Sequence, residues 1–288
     1  NDSDVDEGDL LKVTEVLSSP GSVGEAKLDP SGSVSYSATT GFDSLAQGET
    51  TTETFEYTVS DELGATDQAD ATVTVVGVND APVAVDDVQL IPEDHAKTFD
   101  PTLNDSDVDN GDVLTLVDAE LQPGSRGEIE ILPNGQILYD AKDKFDELAE
   151  GSTATESLTY TISDQVGAQS VGNVDVVIPG VNDAPVAQSD TFSVFEDEEV
   201  EVDVTQNDSD VDEGDLLKVT EVLSSPGSVG EVTLDPSGSV SYSATTGFDS
   251  LAEGESTTET FKYTVSDELG ATDQADATVT VVGVNDAP

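Results

Sequence analysis

The sequence predicts an all-β protein, a linear array of tandem Greek-key β-sandwiches. Three observations carry this reading. The phrase Val-Asn-Asp-Ala-Pro occurs at Val78–Pro82, Val181–Pro185 and Val284–Pro288, each copy 103 residues after the last. A second phrase, Asn-Asp-Ser-Asp-Val-Asp, opens at Asn1, Asn104 and Asn207 with the same period. Between these landmarks apolar and polar residues alternate, the signature of strands with one buried face, and no segment keeps a helical period. A fixed period of domain length means one unit repeated, and about 100 residues can bury a core of their own.

The third unit shows each expected strand in turn. Ser189–Phe195 alternates and ends at Glu196-Asp197; Val200–Val204 alternates valine with acid. The acidic loop Asn207–Asp215 follows, then a third strand, Leu216–Leu223, closed by Ser-Ser-Pro-Gly. Glu231–Leu234 and Ser239–Ala244 flank Asp235-Pro-Ser-Gly, where proline and glycine stand at the positions a tight turn favours. Phe248–Glu255 reads as a loop with room for one helical turn. Glu259–Val265 puts Phe261, Tyr263 and Val265 on one face, and Ala275–Val281 does the same with Ala275, Ala277, Val279 and Val281. Seven short strands in about 100 residues point to a sandwich with Greek-key connections. Strand direction places the 207–215 and Asp267–Asp273 loops at the upstream pole. The Glu196-Asp197 turn and the loop near Leu251–Glu255 fall at the downstream pole.

Counted from one Asn-Asp-Ala-Pro to the next, the units are residues 1–78, 79–181 and 182–288. Residues 1–82 match 207–288 except at Ala26/Val232, Lys27/Thr233, Gln47/Glu253, Thr50/Ser256 and Glu56/Lys262. In this frame unit 1 lacks its first two strands and the chain reads as part of a longer one. Its open flank is expected to be partly disordered, strand-swapped or completed by a neighbour. An alternative frame starts units at Asn1, Asn104 and Asn207 and leaves the last one incomplete.

Composition narrows the partners. There are 63 acidic residues against 8 basic ones, a net charge of −55. Nucleic acid binding requires a basic surface, so it is excluded, and an anionic membrane is disfavoured on the same ground. Cations are the natural partners, because self-repulsion otherwise opposes the compact state. The chain has no cysteine, hence no disulfide and no thiolate metal site. No apolar run approaches the ~20 residues needed to cross a bilayer.

The acidic loop carries the chemistry. It reads Asp208-Ser-Asp210-Val-Asp212-Glu-Gly214-Asp215. Two unit charges about 4 Å apart repel by roughly 4 kcal/mol at an effective dielectric near 20. A hard divalent cation removes that cost, and Ca²⁺ accepts six to eight oxygen ligands in flexible geometry. The loop is not an EF-hand: counted from Asp208, Gly214 falls one place late and Val219 replaces the closing glutamate. A single loop of this kind would read as a solvated turn. Recurrence in three registers, acids in the linkers beside it and the scarcity of lysine and arginine favour a cation site.

Together, Val-Asn-Asp-Ala-Pro, the Asn-Asp-Ser-Asp-Val-Asp-x-Gly-Asp loop and Tyr-Thr-Val-Ser-Asp before a glycine turn resemble the cadherin-like (VCBS-type) repeats of large RTX-type bacterial surface adhesins. The resemblance spans the whole chain. It implies Ca²⁺ between units, held by a glutamate after the first strand, the linker, and acids of the next unit's upstream loops. Between units 2 and 3 this implies Glu93 and Asp94, linker residues Asn182 and Asp183, and Asp208, Asp210 and Asp267. Between units 1 and 2 it implies Asn79, Asp80, Asp105, Asp107 and Asp164. Glu196 is the counterpart of Glu93 at the downstream pole of unit 3. Two departures leave a second arrangement open. The linker's leading aspartate is replaced by Gly77, Gly180 or Gly283, and Leu-Ala-Gln-Gly-Glu, Leu-Ala-Glu-Gly-Ser and Leu-Ala-Glu-Gly-Glu do not keep their acids in register. A site wholly within the acidic loop would use Asp109 and Asp112, or Asp212 and Asp215.

Catalysis finds little support. His95 is the sole histidine and reads as a surface residue. Paired carboxylates for glycoside hydrolysis need an aromatic cleft, whereas tryptophan is absent and the Tyr and Phe fall on core-facing positions. The expected role is therefore structural: calcium-rigidified extender repeats of a secreted adhesin at the bacterial cell surface, projecting a distal binding domain in adhesion or biofilm formation. The expected partners are calcium ions, neighbouring repeats and, elsewhere in the parent chain, carbohydrate or another cell-surface ligand. The alternative is a calcium-dependent module that itself recognises polysaccharide or a like repeat on another cell.

Overall fold

The structure is a computed structural model, and it describes residues 2–6 and 8–285. Asn1 and Glu7 of the first acidic phrase, and the last three residues of the third linker phrase, lie outside the described residues. Among the described residues every regular element is a strand.

Unit 3 contains β13 (Asp190–Phe195), β14 (Glu199–Val202), β15 (Lys218–Ser224), β16 (Glu231–Leu234), β17 (Val240–Ser243), β18 (Ser256–Ser266) and β19 (Thr272–Val282). They form two sheets, β13-β19-β18-β15 and β14-β17-β16. β13 runs parallel to β19, with Asp190 opposite Ala277 and Val194 opposite Val281. The other pairings are antiparallel. Unit 2 repeats the plan with β6 (Asp87–Leu90), β7 (Ala96–Phe99), β8 (Thr115–Leu121), β9 (Glu128–Ile131), β10 (Ile137–Asp140), β11 (Thr153–Ser163) and β12 (Gln169–Pro179). All seven expected strands are present. The second ends two residues early because Asp203 turns the chain, accepting the Thr205 N–H at 3.1 Å and its hydroxyl at 3.0 Å. Phe248–Glu255 holds successive tight turns rather than a helix.

Inward positions of the two sheets meet as the core. In unit 3 it includes Val240, Tyr242, Phe261, Tyr263, Val265, Ala277, Val279 and Val281; in unit 2, Ile137, Tyr139, Leu158, Tyr160, Ile162, Val174 and Val176. One polar device borders each core. Tyr242 donates its hydroxyl to Glu259 at 2.6 Å, and Glu259 also accepts the backbone N–H groups of Val229 at 2.6 Å and Gly230 at 2.9 Å. Glu156 with Tyr139, and Glu53 with Tyr36, repeat it. The half-buried Glu259 carboxylate thus pins the turn before β16 to the opposite sheet, and the fully satisfied Glu156, which is buried, does the same before β9.

Among the described residues unit 1 has five strands: β1 (Lys12–Ser18), β2 (Glu25–Leu28), β3 (Val34–Ser37), β4 (Thr50–Ser60) and β5 (Thr66–Val76). They form the sheets β1-β4-β5 and β2-β3. Among the described residues its flank is bare: β5 pairs with β4 alone and β3 with β2 alone. Phe55 is its one apolar residue in the buried class among those described.

Candidate metal centres

The linker between units 2 and 3 is fastened on both sides. Gly180 donates to the Ser152 carbonyl at 3.0 Å, and the Val181 N–H donates to Glu93 Oε1 at 2.5 Å. The Asn182 amide nitrogen donates to Asp267 Oδ2 and to the Asp183 carbonyl, both at 2.8 Å. The Asp183 N–H donates to Asp212 Oδ2 at 2.9 Å. The units also touch directly, through the Glu213 N–H and the Glu147 carbonyl at 3.1 Å. Gly180 explains the missing linker aspartate. A Cβ there would lie 2.1 Å from the Leu148 carbonyl oxygen and 2.5 Å from that of Ala149. Backbone cannot yield as a side chain can, so only glycine fits.

These contacts gather oxygens that have no hydrogen-bond partner. Glu93 Oε2, Asp146 Oδ1, Asn182 Oδ1, Asp210 Oδ2, Asp212 Oδ1 and Asp215 Oδ2 are all buried atoms without one. Glu93 is fully buried and Asp212 nearly so. One carboxylate oxygen from each of Asp210, Asp212 and Asp215 lies within 4.8 Å of the others. Burial pushes the Glu93 carboxyl above its ordinary range, and the charges of Asp94, Asp183 and Asp212 add to the shift. Asp183, Asp212 and Asp215 are raised in the same way, by burial first and then by neighbouring carboxylates. Asp94 itself is exposed and acts as a nearby charge.

Other expected residues fall elsewhere. Burial works against the Asp267 charge, but the Asn182 amide and the N–H groups of Leu269, Gly270 and Ala271 outweigh it and hold its pKa low. Both its oxygens are occupied, so Asp267 positions the linker. Asp208 leaves the group as well. Its Oδ1 accepts the Gln188 N–H at 2.7 Å and the Tyr263 hydroxyl at 3.1 Å, and its Oδ2 is buried without a partner.

The linker between units 1 and 2 repeats the geometry. Asn79 donates to Asp164 at 2.8 Å, and the Asp80 N–H donates to Asp109 at 2.9 Å. Asp107, Asp109 and Asp112 form the oxygen group, and Asn79 Oδ1 is likewise unpartnered. Asp164 is held below its ordinary pKa, chiefly by the Asn79 amide, and Asp105 is engaged by Val85 N–H and Tyr160. Here unit 1 contributes the Ser44 carbonyl, which accepts the Asn110 N–H at 3.0 Å. At the downstream pole of unit 3, Glu196 repeats Glu93: Oε1 accepts the Val284 N–H at 2.7 Å and Oε2 has no partner.

Asp146 is the one residue of the site that the sequence reading missed. Its signal was present: Phe-Asp recurs at Phe42-Asp43, Phe145-Asp146 and Phe248-Asp249, in step with the period.

The bacterial cadherin-like domain model matches residues 1–77, 79–180 and 182–283. The chain belongs to this family. The calcium-binding lectin RapA2 of Rhizobium johnstonii is 33% identical over 190 residues, covering 59% of this chain and 77% of the relative. Among solved structures, mouse cadherin-23 domains 22–24 superpose with a TM-score of 0.58 at 19% identity, covering 98% of this chain and 89% of that one. Protocadherin γC5 domains 1–3 give 0.52 at 17% identity, covering 94% and 89%. These two likenesses concern the fold, which the bacterial cadherin-like repeats share.

Proposed function

We propose that these repeats are calcium-rigidified spacers in a secreted bacterial adhesin, and that the ions bind at the linkers. One observation carries the reading: buried oxygens without partners belong to Glu93 and Asp146 in unit 2, to Asn182 in the linker and to the clustered Asp210, Asp212 and Asp215 of unit 3, all residues at or beside the linker. The residues fit the ion, since all are hard oxygen donors and the chain has no cysteine and only one histidine. Glu93, Asp146, Asn182, Asp210, Asp212 and Asp215 would hold calcium at this seam; Asn79, Asp107, Asp109 and Asp112 would do so at the seam before it. The ion supplies the positive charge that lets these carboxylates stand together. Asp164 and Asp267 aim the linker, while Asp80, Asp94 and Asp183 add negative potential. Because two units share the ligands, binding penalises bending at the linker.

Extracellular calcium modules bind at about 10⁻⁴–10⁻³ M. At a tenfold excess over the dissociation constant, each site adds ~1.4 kcal/mol to the ordered state. Small-angle scattering with calcium titrated in and then chelated, paired with a thermal melt, tests the reading. Extension and a higher melting point in calcium, both reversed by chelator, are the expected result. A calcium-raised melting point with unchanged dimensions would put the ions inside single units and end the spacer reading. The second reading is a calcium-dependent carbohydrate module, favoured by the name of the rhizobial relative; calcium-dependent retention on a polysaccharide column would select it.

Acid should mimic the ion in part. Carboxylates raised in the folded state impose a penalty that is full above their folded pKa and disappears below the unfolded one. Glu93, Asp183, Asp212 and Asp215 are of this kind. Chelated protein should therefore melt higher as pH falls from 7 towards about 5, approaching the ordinary carboxylate range. Further down, Asp164 and Asp267, whose pKa values are lowered, lose their contribution and stability falls. The gap between calcium-loaded and chelated melting points should narrow over the first interval, which circular dichroism melts at stepped pH will show.

A further inference from the structure

The acidic loop of unit 2 departs from the other two at one position. It reads Asp109-Asn110-Gly111-Asp112, where units 1 and 3 carry Glu7-Gly8 and Glu213-Gly214. A glutamate is thus replaced by an asparagine that precedes a glycine. The pair stands between Asp109 and Asp112, two members of the oxygen group at the seam between units 1 and 2. The Asn110 N–H is also the donor that meets the Ser44 carbonyl of unit 1 at 3.0 Å. The chain has one other Asn-Gly pair, Asn134-Gly135, in the turn between β9 and β10.

The two pairs are held differently. In the turn, Asn134 Nδ2 donates to Gln136 Oε1 at 2.7 Å, and Asn134 Oδ1 accepts the Gln136 N–H at 3.2 Å. The Gly135 N–H donates to the Leu132 carbonyl at 2.9 Å. In the acidic loop the corresponding groups are open. Asn110 is exposed; among the described residues its side-chain amide has no hydrogen-bond partner, and the Gly111 N–H donates to none. Gly111 has a φ of 81° and nothing within 4 Å of where a Cβ would stand. No side chain shields its nitrogen, and glycine's conformational freedom lets that nitrogen swing towards the Asn110 side chain.

We infer that Asn110 is a self-modification site, where the chain deamidates through a cyclic imide. The Gly111 nitrogen attacks Asn110 Cγ and forms a new N–C bond. The Cγ–Nδ2 bond breaks, and Nδ2 leaves as ammonia with the proton that the Gly111 nitrogen gives up. Water, the sole co-reactant, then opens the five-membered ring. Opening at Cγ gives aspartate; opening at the main-chain carbonyl gives isoaspartate. Aspartate restores the charge that units 1 and 3 carry as Glu7 and Glu213. Isoaspartate routes the main chain through the side chain and adds a methylene between Asp109 and Asp112. That lengthening parts two members of the oxygen group, so the seam before unit 2 loosens with age while the seam before unit 3, with Glu213 in its loop, does not. The effect on the seam rests on the proposed calcium sites; the deamidation does not.

The full chain, incubated in mildly alkaline buffer, is followed by mass spectrometry of its tryptic peptides. Cleavage after Lys97, Arg126 and Lys142 places the two pairs in separate peptides, 98–126 and 127–142. Exchange of NH₂ for OH, localised to Asn110 by fragmentation, should advance at least tenfold faster than at Asn134. In denaturant, where the fold no longer holds either pair, the two rates should converge. Asn110→Gln, which cannot close a five-membered imide, should stay unmodified at that position. Equal rates in the folded chain, faster reaction at Asn134 or no product at Asn110 overturns the inference. Calorimetric calcium titration of fresh chain, aged chain and Asn110→Asp reads the consequence. The aged chain should lose binding that Asn110→Asp retains; identical titrations overturn the effect on the seam. A fresh chain that takes up no calcium ends the calcium reading alone, because the rate difference is measured without the ion.

Discussion

Asp212→Ala is expected to lower calcium affinity at the seam between units 2 and 3 by at least tenfold and to free unit 3 from unit 2. Asp212 does two jobs with its two oxygens. Oδ2 holds the linker through the Asp183 N–H, while Oδ1 is buried without a partner beside Asp210 and Asp215. Alanine removes the pin and the ligand together. Asp212→Asn separates them, because the amide oxygen can still accept from Asp183 but brings no charge. The asparagine variant should therefore lose affinity and keep more of the linker order. Tenfold corresponds to about 1.4 kcal/mol, so both the extension seen by scattering and the melting temperature in calcium should fall. Asp109→Ala should do the same at the preceding seam and leave this one intact. If Asp212→Ala binds calcium as the parent does, the seam assignment is wrong.

Gly127→Ala should produce a large stability loss in unit 2 from a single added methyl group. A Cβ at Gly127 would sit 2.2 Å from the Tyr139 hydroxyl oxygen and 2.4 Å from the adjacent ring carbon. Tyr139 is fully buried and cannot retreat. Overpacking of this kind costs about 1–3 kcal/mol. Displacing the hydroxyl also strips a donor from the buried Glu156 carboxylate, at a similar or greater cost. Together these lower the melting point of unit 2 by on the order of 15 °C, since 1 kcal/mol shifts a domain of this size by about 4–8 °C. Gly135→Ala makes a useful contrast, because that turn glycine has open space around it and pays only for its positive φ of 82°. Calorimetry should show the Gly127 variant melting far below it; equal melting points would mean that the tyrosine–glutamate clamp contributes little.

The fold was legible in the sequence because strand alternation and a 103-residue period are properties of the chain itself. Strand ends were less so. β14 stops at Val202 because the Asp203 side chain captures the next backbone donors, a local competition that alternation does not register. At the seams, the acidic loop announced Asp210, Asp212 and Asp215. Which aspartates have free oxygens depends on who donates to them, and that is set by tertiary contacts. Asp208 is engaged by Tyr263 and Asp267 by Asn182, partners 55 and 85 residues away in the chain. Asp146 escaped because its recurrence is a single letter beside a phenylalanine, overshadowed by a longer phrase nearby.

The parallel pairing of β13 with β19 has a mechanical consequence. The chain enters a unit at the start of the first strand and leaves at the end of the last, and these two strands point the same way in one sheet. Tension along an anchored array pulls them in opposite directions along their common axis. The six residue pairs from Asp190–Ala277 to Phe195–Val282 are then loaded in shear and must give way together, rather than being peeled apart one after another. In unit 2 the corresponding ladder has four pairs, Asp87–Val174 to Leu90–Val177. Under a steadily rising pull, unit 2 should yield before unit 3.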